Sequence, residues 1–146
     1  MSRVVRLLRA LRSRNEGSVV VEFGLLGGLF IGMLVGVLQV GVAMQNYNAL
    51  RNVASDVARY ALVQYQTGNN LSNGQLRDWA TVRATGAPYL LDQDDLHITV
   101  VDAATQRVTD AQELSMTITY QIPTFMDLLG WESPSLTYSR ALFVMS

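Results

Sequence analysis

The sequence predicts an α+β protein in which a long N-terminal helix, first apolar and then amphipathic, packs on a small antiparallel β-sheet. Three observations carry that reading. A run of 28 residues, Phe23 to Leu50, contains no charge. Helical apolar spacing then continues past it, and only afterwards do stretches appear in which apolar and polar residues alternate. The order is helix first and strands later, which favours a segregated α+β arrangement over a parallel α/β sheet.

The charges are sorted along the chain. All eleven basic residues are arginine, and five of them, Arg3, Arg6, Arg9, Arg12 and Arg14, lie in the first fourteen residues. With Glu16 as the one nearby acid, this head carries +4. From Arg51 onward six arginines face ten acids, so the remainder carries −4. The overall charge of −1 therefore averages a basic head and an acidic body, and gives no argument for nucleic-acid binding. No cysteine is present, which excludes disulfides, thiolate metal sites and a cysteine nucleophile.

Val19 to Met44 has only Glu22 and Gln39 as strongly polar residues. As a helix, this stretch is about 39 Å long at 1.5 Å per residue. The hydrocarbon core of a bilayer is about 30 Å thick, so a single transmembrane helix over 18–44 is expected. A cleaved secretory signal has a shorter apolar stretch of roughly 7–15 residues, and Gly41-Val42-Ala43 is a weak cleavage site for one. The basic head keeps the N-terminus in the cytoplasm, which places the C-terminal domain on the far side of the inner membrane. Gly24, Gly28, Gly32 and Gly36 recur every four residues, a spacing that leaves a smooth ridge for close approach of another helix. Glu22 is the anomaly, because a carboxylate in a membrane helix costs a few kcal/mol near mid-depth.

Beyond the span, Tyr47, Leu50, Ala54, Val57, Ala61 and Tyr65 recur every three or four residues, so one helix is predicted from about Ser18 to Gln66. Thr67 to Gly74 reads as a loop. Gln75 to Thr85 reads as a short helix closed by Gly86 and Pro88. Leu96–Val101 and Leu114–Ile122 alternate as half-buried strands, Pro123 ends the second, Phe125–Leu129 is a candidate helical turn, and Leu136–Met145 a third strand. The domain organisation is thus a leader over 1–17, the span, and an extracytoplasmic domain over 45–146, with its helical part at 45–66 and mixed helix and strand at 67–146.

A search of this body for chemistry finds no constellation. His97, the one histidine, falls on the polar phase of its strand. No serine sits in a nucleophile elbow and no glycine run forms a phosphate loop. Asp92, Asp94 and Asp95 are weak candidates for calcium, but they lack the spacing and glycine of an EF-hand loop, and no metal or other cofactor is expected. Trp79 and Trp131 read as packing anchors, with an exposed Trp131 as the residue that would favour an adhesin. The chain is not expected to be an enzyme.

The segment Gly17-Ser18-Val19-Val20-Val21-Glu22-Phe23, between an arginine-rich head and an apolar run, resembles the processing site of type IV pilin-like precursors of the tight adherence (Tad/Flp) pilus system. Asn48-Ala49 through Ala54, Ala58-Arg59-Tyr60-Ala61 is similar to the helical segment of the TadE-like minor pseudopilins. The resemblance is close over 12–62 and loose beyond. Gly28 stands where many relatives have proline, and the cysteines of some relatives are missing. The resemblance implies a type IV pilin-like fold and cleavage between Gly17 and Ser18 by a prepilin peptidase. Glu22 would pair with the new amine of Ser18 to set register in assembly, with Phe23 beside it. The implied partners are that peptidase, other Tad pilins and pseudopilins, the inner-membrane assembly platform and membrane lipid, and the implied role is priming or assembly of a pilus used in cell adhesion. The competing reading is a single-pass membrane-anchored extracytoplasmic binding module or adhesin.

Overall fold

The computed structural model describes residues 16–109, 111–123 and 133–145. The arginines of the basic head, the Phe125–Leu129 turn and Trp131 lie outside the described residues. The elements in chain order are α1 (Glu16–Gln66), α2 (Asn73–Thr85), β1 (Leu96–Asp102), β2 (Ala111–Gln121) and β3 (Ser135–Met145). This is the α+β class expected from the sequence, with one long N-terminal helix and a three-stranded antiparallel sheet.

The chain divides into two compact units, residues 1–40 and 41–146. In the first, the described part is α1 alone. Its most apolar 18-residue window has a mean hydropathy of 2.2, and none of that window is buried. Leucine, valine, isoleucine, methionine and phenylalanine side chains all round the helix stand exposed, Phe23 at 78%. A helix that is apolar on every side is built for lipid or for other helices rather than for water.

The second unit has its own core. Leu50, Val53, Ala54, Val57 and Ala61 of α1 are fully buried, as are Leu76, Ala80 and Ala84 of α2. They join Ile98, Val100, Leu114, Met116, Ile118, Tyr120, Leu142 and Val144 in one cluster. Both helices thus cover the same face of the sheet. The alternate strand residues, among them His97, Thr99, Thr137 and Ser139, face outward and are exposed. Val53 completes the α1 stripe between Leu50 and Val57, whereas Tyr47 at its start is 42% exposed and meets Tyr138 edge-on, with ring centroids 5.9 Å apart.

The sheet is a meander in the order β1-β2-β3. Leu96 pairs with Tyr120 and Asp102 with Leu114, while Ala111 pairs with Met145 and Gln121 with Ser135. On the outward face small hydroxyls bridge β2 and β3: Thr117 and Ser139 are joined at 2.9 Å, Thr119 and Thr137 at 3.2 Å. The strand β2 begins three residues before the expected Leu114, because Ala111, Gln112 and Glu113 are held by the far end of β3.

Turn chemistry closes the connections. Ser72 caps α2: its hydroxyl accepts from the Gln75 amide, and the Gln75 side chain accepts from the Ser72 amide at 2.9 Å. This reciprocal capping box satisfies two helix-end donors and sets the helix start at Asn73, two residues before the expected Gln75. Gly86 ends α2 with its amide on the Val82 carbonyl.

Candidate processing and assembly site

Gly17, Ser18, Glu22, Phe23 and the glycine row all lie on α1. The helix as described includes Glu16, so the Gly17–Ser18 peptide bond is helical. In a chain cut there, the first amides of the helix would have no carbonyl partners inside it and would carry the positive end of the backbone dipole. A free amine at Ser18 would add a positive charge to that end. Glu22 is one turn further along and exposed, so positions 18 and 22 share a helix face. The i to i+4 spacing is what allows a carboxylate to answer an amine on the same strand of helix surface.

The four glycines Gly24, Gly28, Gly32 and Gly36 form a row that drifts slowly round the helix. A Cβ built on any of them meets nothing within 4 Å. Among the described residues there is therefore no steric reason for glycine there, and helix propensity argues against it by about 1 kcal/mol per residue relative to alanine.

In the second unit, two polar nodes stand out. Asp56 on α1 accepts from Arg83 Nε of α2 at 2.8 Å and from the Tyr89 hydroxyl at 3.0 Å. Arg83 also lies over the Tyr89 ring, 5.0 Å from its centroid, and donates to the Ala87 carbonyl. Asp56 raises the Arg83 pKa above its already high value, and burial raises that of Tyr89. These groups stay cationic and neutral respectively through the physiological range, so the node is a clamp between helices rather than a proton-transfer pair. The second node is Glu113, only 3% exposed although charged. Its carboxylate takes a forked contact from Arg107 and accepts the Arg107 amide, while Gln106 accepts the Glu113 amide. The Arg107 hydrogen bonds hold the Glu113 pKa below its ordinary value of 4.5. This node fastens the β1–β2 connection.

The other candidates are placed apart. His97 is on the outward face of β1, opposite Thr119. Asp92, Asp94 and Asp95 follow one another in the connection before β1, where Asp92 accepts the Asp94 amide at 3.0 Å. Among the described residues no group of three or more histidine, aspartate or glutamate side chains is arranged to hold a metal ion. Trp79 stacks on Tyr60, with centroids 4.2 Å apart and planes 3° from parallel, as an anchor between α2 and α1. The Asp56–Arg83 and Arg107–Glu113 pairs were not among the sequence candidates. The first joins residues 27 apart, and no local pattern announces it.

These features define a class first: an α+β domain carried on an apolar helix long enough to cross a membrane. The comparison with known families reaches the N-terminal segment alone. Residues 17–59 match the family model of TadE-like proteins, so this segment is similar to that family. The match begins at the glycine of the expected cleavage site and stops within α1. No curated protein and no solved structure shows a significant match to the chain.

Proposed function

We propose that the chain is a minor pseudopilin of a Tad pilus, made as a precursor and cut by a prepilin peptidase after Gly17. The observation that supports this reading is the coincidence of a TadE-like match starting at Gly17 with an apolar stretch of α1 that is not buried by any of the described residues. A precursor of this kind waits in the inner membrane with its N-terminus in the cytoplasm and its domain outside. Removal of residues 1–17 takes away five arginines and one acid, leaving a mature chain with a net charge of −5.

Cleavage creates the Ser18 amine one turn from Glu22. Pairing the two, within a subunit or between neighbours, offsets two desolvation costs at once. Between subunits it sets the axial register, and the glycine row lets the helix backbones approach closely. In this account the protein is a substrate of the peptidase rather than an enzyme, needs no cofactor, and works by packing against other pilins, pseudopilins and the assembly platform.

Co-expression with a prepilin peptidase tests the proposal. The mass should fall by the seventeen leader residues, and Gly17→Ala should slow or abolish the step. An unprocessed wild-type chain would overturn it. Glu22→Ala should leave membrane insertion intact while reducing pilus number severalfold, and normal piliation would remove the pairing role of Glu22.

A further inference from the structure

We infer that the turn Gly86–Leu91 is a second membrane contact, in which Leu90 seats in the lipid interface beside the point where α1 leaves the bilayer. This rests on the reading of α1 as a membrane span and otherwise uses only residues of the unit 41–146.

The position of the turn follows from a ladder of contacts between the two helices. Tyr60 of α1 stacks on Trp79 of α2, and one turn of α1 earlier Asp56 pairs with Arg83, one turn later on α2. The helices therefore run antiparallel, and α2 delivers its C-terminal end toward the beginning of α1 in this unit. Pro88 and Tyr89 continue the series: they line one groove with Gly41, Met44, Gln45, Asn48 and Asn52. Gly41 to Met44 are the last residues of the apolar stretch and form one end of this groove, whose other end at Asn52 is about 12 Å further along α1.

What the turn presents at that level is apolar. Leu90 is 72% exposed, and beyond Met44 no large apolar side chain among the described residues is more exposed. Val82, one helical turn above on α2, stands 71% exposed. Water-facing leucines are common singly, but the backbone here is also unusual. Leu90 has φ +52, a left-handed conformation that a leucine rarely adopts. The residues on each side fix it there. The Tyr89 and Leu90 amides both donate to the Gly86 carbonyl, the Leu91 amide donates to the Ala84 carbonyl, and the Leu91 side chain is buried in the core. The turn thus holds Leu91 inward and Leu90 outward, with Leu90 carrying the cost of the left-handed conformation. A lipid interface gives the outward side chain an environment that offsets the cost. Tyr89, with an apolar ring and a hydroxyl on Asp56, is the residue type that settles at headgroup depth. Asp92, Asp94 and Asp95 limit the depth: they follow at once and are charged, so only the tip of the turn enters.

The absence of cysteine makes a direct test available. Single-cysteine variants Met44→Cys, Leu90→Cys and Val108→Cys of the full chain are labelled with an environment-sensitive fluorophore. Each is reconstituted into phosphatidylcholine vesicles with and without lipid carrying a nitroxide near the top of its acyl chain. Val108 lies in the β1–β2 connection, at the opposite end of β1 from the turn, and is 49% exposed. The expected result is at least twofold quenching at positions 44 and 90 and none at 108. Quenching at 44 with position 90 no more quenched than 108 would overturn the lipid contact and leave the span standing. No quenching at 44 would remove the span, and the contact with it. Neither outcome depends on peptidase processing, so this test and that of the pseudopilin reading fail separately.

Discussion

The first forty residues and the rest of the chain obey opposite rules. In the described part of the first unit, residues 19–40, the large apolar side chains are exposed and a Cβ added to any glycine meets nothing. In the second, eighteen hydrophobic side chains among the described residues are buried and β2 is paired along its whole length. Residue types in the second unit are explained by neighbours in the same chain. Those in the first find no such explanation among the described residues. The two units therefore have separable vulnerabilities: substitutions in one should show in folding, and in the other in assembly.

The largest effect that would test this separation is in the core. Leu114 is fully buried on the central strand, so Leu114→Ala should cost about 2–5 kcal/mol, a large share of the roughly 5–15 kcal/mol by which a domain is stable. Denaturant unfolding of the detergent-solubilised chain, followed through Trp79, should show the midpoint fall while membrane insertion is unchanged. A smaller effect concerns acid. The folded pKa of Glu113 is depressed, so its contact with Arg107 stabilises fully above about pH 4.5, the ordinary glutamate value, and the gain is lost as pH falls through the lower folded value. Stability measured from pH 6 down to 3 should therefore fall for wild type, and Glu113→Gln should flatten part of that fall. The smallest expected effect is none. Gly28→Ala adds a Cβ into open space, so the unfolding midpoint of the domain should stay where it is. A clear loss of domain stability in that variant would break the separation.

Much of this architecture is legible in the sequence because it rests on periodicity. The end of α1 at Gln66 and the three strands follow from spacing alone, and the N-terminal features follow from charge beside apolar length. What the sequence conceals is whatever depends on partners that no periodicity announces. Glu113 falls one residue before the strand expected at Leu114, yet it belongs to β2 and Arg107 and the Gln106 side chain enclose it. Tyr47 carries the apolar phase of α1 but stands at the margin of the core, where Tyr138 covers one edge of it. Leu90 reads as one more apolar residue in Tyr-Leu-Leu, and only the backbone distinguishes it from Leu91. The capping box at Ser72 was within reach, since serine followed three residues later by glutamine is a local signature.

The sheet has a kinetic consequence. Its strands lie side by side in the order in which they are synthesised, and each neighbour is joined by a connection rather than a crossover. Pairings of this kind close short loops, which keeps the search for partners brief. As the chain emerges, β1 can wait beside α2, β2 can zip onto β1, and β3 can finish the sheet without displacing anything already in place. A domain that follows a helix long and apolar enough to cross a membrane is served by a topology in which no strand has to be inserted between two others.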